Sequence, residues 1–297
     1  MTTTLAEPAA MTALYREFRT AAEIDAHYDV ESSVPDLMVY ARQYEADSQR
    51  ARSQLQAHLD VPFGPTPEET LDIFPAAQPG APVFVFIHGG YWRMLSSKEF
   101  SFVALGLVPQ GVTTVVVNYA LAPAVALDEI ARQAAAALDW VRQHIAEYGG
   151  DPTRIALGGH SAGAHLAAMC INGEAGRPGG TGAVRSALLV SGLFDLRPLR
   201  HSFMQPVLQL DEASAHRNSP LFHIPRTGLK ALVAWGEDEP VEFCRQSADF
   251  QAAWQRRGNP GEAWPLPGRN HFDVLDTLSD PHSAMCQWLV RSLHAAP

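Results

Sequence analysis

One pentapeptide has the residue types and spacing of an activated serine nucleophile. Gly159-His160-Ser161-Ala162-Gly163 fits the pattern G-x-S-x-G and lies between the apolar segment RIAL and the alanine-rich segment AHLAAMC. A strand that turns sharply into a helix at this point holds the serine at unusual backbone dihedrals, and the glycines let strand and helix approach closely. The hydroxyl then projects above the sheet at the N-terminus of a helix, whose dipole favours negative charge. The pattern predicts that Ser161 is a catalytic nucleophile.

A serine hydroxyl needs a base to take its proton, and the base needs a carboxylate to hold it. Where the nucleophile sits on such a turn, the chain order is serine, then acid, then histidine. We expect His271 to be the base, because the loop GRNHF lies between a short apolar segment at residues 263–266 and the last predicted helix. The other downstream histidines lie in a predicted cap or in and beside the last helix: His201, His216, His223, His282 and His294.

Two neighbouring carboxylates compete for the role of the acid. Both lie in the segment GEDEP, which follows the apolar segment LVAW. Asp238 has the commoner residue type for this role, whereas Glu239 stands directly before proline, where the acid of a G-x-x-D-P turn is placed. Glutamate is an accepted third member of such a triad. The spacing alone therefore leaves both residues as candidates.

A second glycine-rich loop, HGGYW at residues 88–92, follows the apolar segment PVFVFI. Backbone N–H groups from such a loop and from the residue after the nucleophile stabilise a negatively charged carbonyl oxygen, each by about 3 kcal/mol. The predicted donors of this oxyanion hole are Gly89, Gly90, Tyr91 and Ala162. The predicted walls of the substrate pocket are Tyr91, Trp92 and His160. We expect His88 to order the loop.

These side chains need a sheet to position them. From residue 69 onwards, short apolar segments alternate with segments of helical period, a pattern typical of an α/β fold with a mostly parallel sheet flanked by helices. Residues 82–87 and 112–118 are predicted to be strands buried on both faces. Apolar residues at every third or fourth position predict a helix over residues 127–148. Further strands are predicted at residues 154–157, 184–190 and 229–235.

The domain organisation follows from where this alternation begins. Residues 1–60 are polar and helix-leaning, which predicts an N-terminal helical extension, and residues 61–297 are predicted to form one α/β domain. Within that domain, residues 191–228 are rich in proline and histidine and lack strong periodicity. We expect this segment to form a small cap over the site.

Composition excludes several classes of protein. The 297 residues carry a net charge of −10, which argues against nucleic acid as a partner. The three cysteines form no C-x-x-C pair, so neither a disulfide framework nor a metal site is expected. No segment approaches the roughly 18–20 apolar residues of a membrane span. We expect a soluble, cytoplasmic protein with a small-molecule substrate and no cofactor, and a homodimer is compatible with the sequence.

Taken together, these motifs resemble the serine-type kynurenine formamidases (arylformamidases) of the α/β-hydrolase superfamily. HGGYW matches that family's H-G-G-x-W motif, whereas the broader lipase-like esterases usually carry H-G-G-G. Further similarities are VNY and LAP at residues 117–123, GHSAGAHL at 159–166, SGLFDL at 191–196 and EFCRQS at 242–247. The resemblance runs from about residue 69 to the C-terminus, with a weaker similarity at Tyr28 and residues 34–36.

The resemblance implies an α/β-hydrolase fold with Ser161 as nucleophile and His271 as base. It also selects the acid, because the family's acid stands three residues before the E-F pair, at Glu239; animal members more often carry aspartate there. Arg245 and Gln246 are implied to hold the acid loop. The implied reaction is hydrolysis of N-formyl-L-kynurenine to L-kynurenine and formate in tryptophan catabolism. Alternatives are a promiscuous carboxylesterase for short-chain acyl esters and a non-catalytic binding protein on the same scaffold.

Overall fold

One eight-stranded sheet forms the centre of the computed structural model, which describes residues 12–174 and 184–295. The strand order is β1-β2-β4-β3-β5-β6-β7-β8. The strands are β1 (His58–Pro62), β2 (Thr70–Phe74), β3 (Ala81–Ile87), β4 (Thr113–Val117), β5 (Gly150–His160), β6 (Val184–Val190), β7 (Lys230–Gly236) and β8 (Gly261–Leu266). Strand β2 is antiparallel to both of its neighbours, and the other neighbouring pairs are parallel. The predicted α/β fold with a mostly parallel sheet is confirmed.

Helices cover both faces of this sheet. They are α1 (Ala21–Tyr28), α2 (Leu37–Gln54), α3 (Val103–Leu107), α4 (Leu127–His144), α5 (Ala162–Glu174), α6 (Gln205–Leu208), α7 (Glu212–Arg217), α8 (Val241–Arg256) and α9 (Ala284–His294). All seven residues of β3 are buried. Val85 packs in a core with residues of α4, α5 and α8, whereas Phe84 and Phe86 pack in the opposite core with residues of α3 and α9. A strand covered on both faces requires the continuous apolar run of its sequence.

Most predicted elements lie where the sequence places them, and the differences concern the N-terminal part. Strand β6 coincides with the predicted range, while β5 is longer than predicted at both ends. Strands β1 and β2 were not predicted, so residues 58–60 belong to the sheet rather than to a helical extension. Helices α1 and α2 lie within residues 1–60, of which residues 1–11 are outside the described ranges. No helix within those ranges is long and apolar enough to cross a bilayer.

The carboxyl ends of the central strands meet at one edge of the sheet. The register pairs Ile87 with Gly159, and Val190 with both His160 and Ala234. The segments that follow β3, β5, β6 and β7 therefore emerge side by side. In open α/β sheets this edge is where ligands bind.

The turn from β5 into α5 is packed so closely that two positions in it have no room for a side chain. A Cβ atom at Gly163 would lie 1.9 Å from Ile87 O and 2.6 Å from His88 O, and one at Gly159 would lie 2.4 Å from Gly163 C. These obstacles are backbone atoms, which cannot rotate away as a flexible side chain can. The two glycines of the motif therefore fix how closely α5 approaches β3.

We expect Gly163→Ala to lower the free energy of unfolding by at least about 2 kcal/mol, because the new methyl group forces α5 away from β3. The matched control is Gly173→Ala in the same helix, where a Cβ would have no heavy atom within 4 Å. That change should raise the free energy of unfolding by up to about 1 kcal/mol through helix propensity. Urea denaturation of both variants measures the difference, and equal stabilities would contradict the packing argument.

Candidate active site

Ser161 occupies the sharp turn between β5 and α5 in a backbone conformation that side chains rarely adopt. Its φ is +55°, and the residue is buried. The Ser161 N–H donates to Val190 O at 2.9 Å, and its carbonyl accepts from His165 N at 3.1 Å. Left-handed backbone at a non-glycine residue costs of order 1 kcal/mol or more and concentrates at functional sites. The structure therefore holds this hydroxyl in place through fixed backbone bonds on both sides.

A buried carboxylate and a buried imidazole lie beside this turn. Glu239 Oε2 is 2.7 Å from His271 Nδ1. The second oxygen, Oε1, accepts from Ser191 Oγ at 2.5 Å and from Gly236 N at 2.6 Å. Three donors thus satisfy the carboxylate, as burial of a charge requires. The competing candidate, Asp238, is exposed to solvent.

This pairing leaves one nitrogen of His271 for chemistry. Because Nδ1 donates to Glu239, Nε2 carries the lone pair that can accept a proton. Ser161 and His271 line the same cavity. Within the described ranges no hydrogen bond joins the Ser161 hydroxyl to His271, and in unliganded enzymes such contacts often tighten only when substrate binds.

His160 lines the cavity and also contacts the loop of His271. Its Nε2–H donates to the backbone carbonyl of His271 at 2.8 Å, and the two rings are 4.6 Å apart. Burial, with a smaller contribution from the neighbouring imidazole, lowers the pKa of His160 well below its ordinary value. A neutral His160 leaves any positive charge that develops here on His271.

The loop at residues 88–92 lies against the turn, since a Cβ at Gly89 would be 3.3 Å from Ser161 Cβ. Within the described ranges, the N–H groups of Gly89, Gly90, Tyr91 and Ala162 donate to no backbone acceptor. Gly90 and Tyr91 have φ values of +110° and +51°. The carbonyl of Gly90 accepts from Arg93 N at 3.0 Å and Met94 N at 3.1 Å, which closes a tight turn. Such a set of donors is suited to a developing oxyanion.

Helix α2 and the loop before it, rather than residues 191–228, line one side of the cavity. It measures about 170 Å³, and α2 contributes four of its wall residues. The lining residues are Val30, Glu31, Leu37, Tyr40, Ala41, Tyr44, Gly90, Tyr91, Met94, Leu95, Glu99, Phe100, His160, Ser161, His271 and Phe272. None comes from residues 191–228, whose short helices pack against α1, α5 and α8. Residues 191–228 therefore contribute no wall to this cavity.

Trp92, predicted as a pocket wall, does not line the cavity. Its side chain is fully buried, and its Nε1–H donates to His165 Nδ1 at 3.2 Å. His165 Nε2 in turn donates to Asn218 O at 2.8 Å. The indole has turned into the core because its N–H finds a buried acceptor there. Trp92 therefore ties the loop to α5 and to the segment 191–228.

Two residues implied to hold the acid loop have a different role. Gln246 accepts from the backbone N–H of Asp195 at 2.8 Å and donates to Tyr28 Oη at 2.7 Å. Arg245 forms an ion pair with Glu242, one helical turn earlier in α8. These side chains join α8 to α1 and to the segment after β6. In the part of the chain that the structure describes, neither side chain forms a hydrogen bond or ion pair with Glu239.

Sequence reasoning missed Ser191 and the two tyrosines of α2. Ser191 has a φ of +52° and donates to Glu239. Tyr44 Oη donates to Phe272 O at 2.7 Å, and Tyr40 Oη accepts from Asn270 Nδ2 at 2.8 Å. The available signal for Ser191 was its place directly after a buried strand, at the edge that carries the other site residues. For Tyr40 and Tyr44 the sequence contains no such signal, because only the tertiary fold brings α2 to the loop of His271.

Buried neutral histidines around the site make stability depend on pH. Burial lowers the pKa of both His88 and His165 to about 4. The unfolded chain binds these protons at about pH 6.5, so the stabilisation is complete above that pH and is lost as the pH falls towards 4. Each histidine should remove about 2 kcal/mol from the free energy of unfolding between pH 6.5 and 5.

Urea denaturation at several pH values checks this. His165→Gln, which can keep both hydrogen bonds, should show a loss of stability between pH 6.5 and 5 that is smaller by about 2 kcal/mol than in the wild type. The exposed His282→Gln is the control and should keep the wild-type pH dependence. If the free energy of unfolding of the His165 variant changes with pH as it does in the wild type, the explanation is wrong.

Comparison with known proteins identifies related hydrolases. A family model described as the α/β hydrolase fold matches residues 84–272. A kynurenine formamidase of Salmo salar is 32% identical over 254 residues, covering 83% of this chain and 85% of that protein. The esterase LipQ of Mycobacterium tuberculosis is 32% identical over 74% of this chain and 58% of its own length.

Among solved structures, a putative thioesterase from Silicibacter sp. TM1040 superimposes with a TM-score of 0.82. The two chains are 28% identical, and the match covers 92% of this chain and 99% of that one. The fold is thus shared with hydrolases. The chain belongs to the α/β-hydrolase superfamily and, within it, to the family of serine-type kynurenine formamidases.

Proposed function

We propose that this hydrolase cleaves aryl formamides, with N-formyl-L-kynurenine as its substrate and L-kynurenine and formate as its products. The observation that carries the proposal is the buried 2.7 Å contact between Glu239 and His271 beside the strained turn of Ser161. We assign Ser161 as nucleophile, His271 as base and Glu239 as the acid that orients it. The N–H groups of Gly89, Gly90, Tyr91 and Ala162 are the proposed oxyanion donors.

The reaction proceeds in two acyl-transfer steps. Ser161 Oγ attacks the formyl carbon while His271 Nε2 takes its proton, and the backbone donors stabilise the resulting oxyanion. His271 then protonates the aryl nitrogen, the C–N bond breaks, and the amine leaves a formyl-serine ester. Water attacks that ester with His271 again as base. Formate departs, and the serine hydroxyl is restored.

The cavity walls suit an aryl group. Five aromatic side chains line the cavity: Tyr40, Tyr44, Tyr91, Phe100 and Phe272. Tyr40 and Phe272 stack on each other with ring centroids 5.3 Å apart. Flat aromatic walls bind an aryl ring through apolar burial and offset stacking. The aromatic lining favours aryl amides over the smaller acyl compounds that a general esterase accepts.

A carboxylesterase is the second candidate. It is supported by the relatives and solved structures named as esterases or a putative thioesterase. Ester hydrolysis needs the same nucleophile, base and oxyanion donors, so these groups serve both reactions. The difference lies in the leaving group, because an arylamine needs protonation by His271 as it departs and a phenolate does not.

Turnover of N-formyl-L-kynurenine and of p-nitrophenyl acetate by the purified enzyme tests the proposal. We expect efficient deformylation, loss of both activities in Ser161→Ala, and labelling of Ser161 by a fluorophosphonate probe in the wild type only. Hydrolysis of the ester with negligible deformylation would assign the protein to the esterases. Absence of both activities and of labelling would favour a binding protein.

The choice of acid has its own test. Glu239→Gln keeps the shape but removes the charge that stabilises the imidazolium, and should lower kcat by about 10³- to 10⁴-fold. Asp238→Asn is the matched control one residue away and should stay within about twofold of wild type, because an exposed side chain contributes little to a buried charge. Steady-state kinetics on N-formyl-L-kynurenine measures both. A reversed order would make Asp238 the acid.

We further propose a cytoplasmic location. The sequence has only three scattered cysteines and no C-x-x-C pair, as is usual in a reducing compartment.

A further inference from the structure

A second cavity adjoins the one that contains Ser161. We call the first the serine cavity and the second, of about 210 Å³, the arginine cavity. The two share the wall residues Val30, Glu31 and Tyr91. The remaining wall residues of the arginine cavity are Asp29, Arg93 and Phe203. The arginine cavity therefore has one cationic and two carboxylate side chains around it, whereas the serine cavity is lined mainly by apolar groups.

Arg93, whose side chain is only 28% exposed, lies over the Phe203 ring at 5.9 Å but is weakly paired with carboxylates. Its Nη2 lies 3.7 Å from Glu31 Oε1, too far for a charge-assisted hydrogen bond. Its Nε–H is buried and has no hydrogen-bond partner within the described ranges. By contrast, Arg197 and Arg217 each hold one carboxylate through two nitrogens. A buried donor without an acceptor costs free energy. The Arg93 Nε–H is therefore available to donate to an acceptor on a ligand.

The position of Arg93 links it to the chemistry. It lies two residues after Tyr91, and Tyr91 and Trp92 both have positive φ values. Tyr91 Oη donates to Tyr28 O, which fixes the ring where the two cavities meet. Strained, over-determined backbone of this kind is found where a chain must place functional groups. The same short loop thus offers an N–H group at the serine cavity and a guanidinium at the next one.

The carboxylates complete the charge pattern. The Ser32 side chain, and with a smaller effect the Ser32 N–H at 3.0 Å, lowers the pKa of the Asp29 carboxyl group, which keeps it ionised. Glu31 is half exposed and lies on the shared wall. A guanidinium with two carboxylates beside it matches a ligand that carries both a carboxylate and an ammonium group. It does not match a simple anion, which the two acidic side chains would repel.

We propose that the arginine cavity binds the α-amino carboxylate end of the substrate, with Arg93 holding its carboxylate and Asp29 and Glu31 facing its ammonium group. The aryl formamide then lies in the serine cavity. This inference rests on the function proposed above and extends it, because it makes the enzyme selective for aryl formamides with an amino-acid side chain. Neutral formanilides lack the second anchor.

Three substrates with one reacting group test this selectivity. They are N-formyl-L-kynurenine, its analogue without the amino group, 4-(2-formamidophenyl)-4-oxobutanoate, and 2-formamidoacetophenone, which lacks both charges. Arg93→Gln should lower kcat/KM about 10- to 100-fold for the two carboxylate-bearing substrates. The effect should lie mainly in KM, and 2-formamidoacetophenone should be cleaved within about twofold of wild type. Arg93→Lys should restore part of the loss.

Matched controls separate recognition from damage to the loop. Arg256→Gln, exposed at the end of α8, should change none of the three rates, and fluorophosphonate labelling of Arg93→Gln should proceed at the wild-type rate. Glu31→Gln should lower kcat/KM for N-formyl-L-kynurenine more than for its analogue without the amino group. An equal loss on all three substrates, or no loss on the carboxylate-bearing pair, overturns the proposal.

Failure of the proposed function would be recognised separately, in the wild type. If the wild type cleaves esters but none of the formamides, the formamidase assignment is wrong. The role of Arg93 is then tested by comparing the rates at which the wild type and Arg93→Gln hydrolyse p-nitrophenyl hydrogen succinate and p-nitrophenyl butyrate. A selective loss on the succinate in Arg93→Gln supports a carboxylate subsite, and an equal response to both esters rejects it.

Discussion

The buried carboxylate of Glu239 is the group on which the site depends, since an ion in this position is tolerated only when donors surround it. Its three donors come from the ends of β6 and β7 and from the loop that contains His271. Each donor fixes one segment at the carboxyl edge of the sheet. The register of the parallel strands brings these segments together, so the geometry of the site follows from the pairing of the strands.

The N-terminal helices α1 and α2 also contact loops at this edge of the sheet. Tyr44 donates to the carbonyl of Phe272, directly after His271, and Tyr28 accepts from Tyr91 through its backbone carbonyl. The loops that carry the proposed base and the proposed oxyanion donors are thus both tied to residues before β1. This part of the chain lines one side of the cavity and orders two of its loops.

How much of this was predictable depends on whether the signal is local. The turn at Ser161 is a local property of five residues, and the packing around Gly159 and Gly163 explains why the motif has its form. The alternating pattern of strands and helices predicted the sheet in the same way. Long-range contacts leave no such signal in the sequence. The sequence predicts Trp92 as a pocket residue, whereas in the structure its N–H donates to the buried His165. The sequence also does not indicate that α2 lines the cavity.

The same distinction explains why the sequence left Asp238 and Glu239 as equal candidates for the acid, whereas their surroundings in the structure differ. Asp238 and Glu239 are adjacent, so both are within reach of a loop that follows β7, and residue type favours the shorter side chain. Burial separates them: Glu239 points to Ser191, Gly236 and His271, while Asp238 faces solvent. A carboxylate in solvent is screened from the imidazole, whereas a buried one interacts with it strongly. The extra methylene of glutamate therefore matters less than the enclosure around its carboxylate.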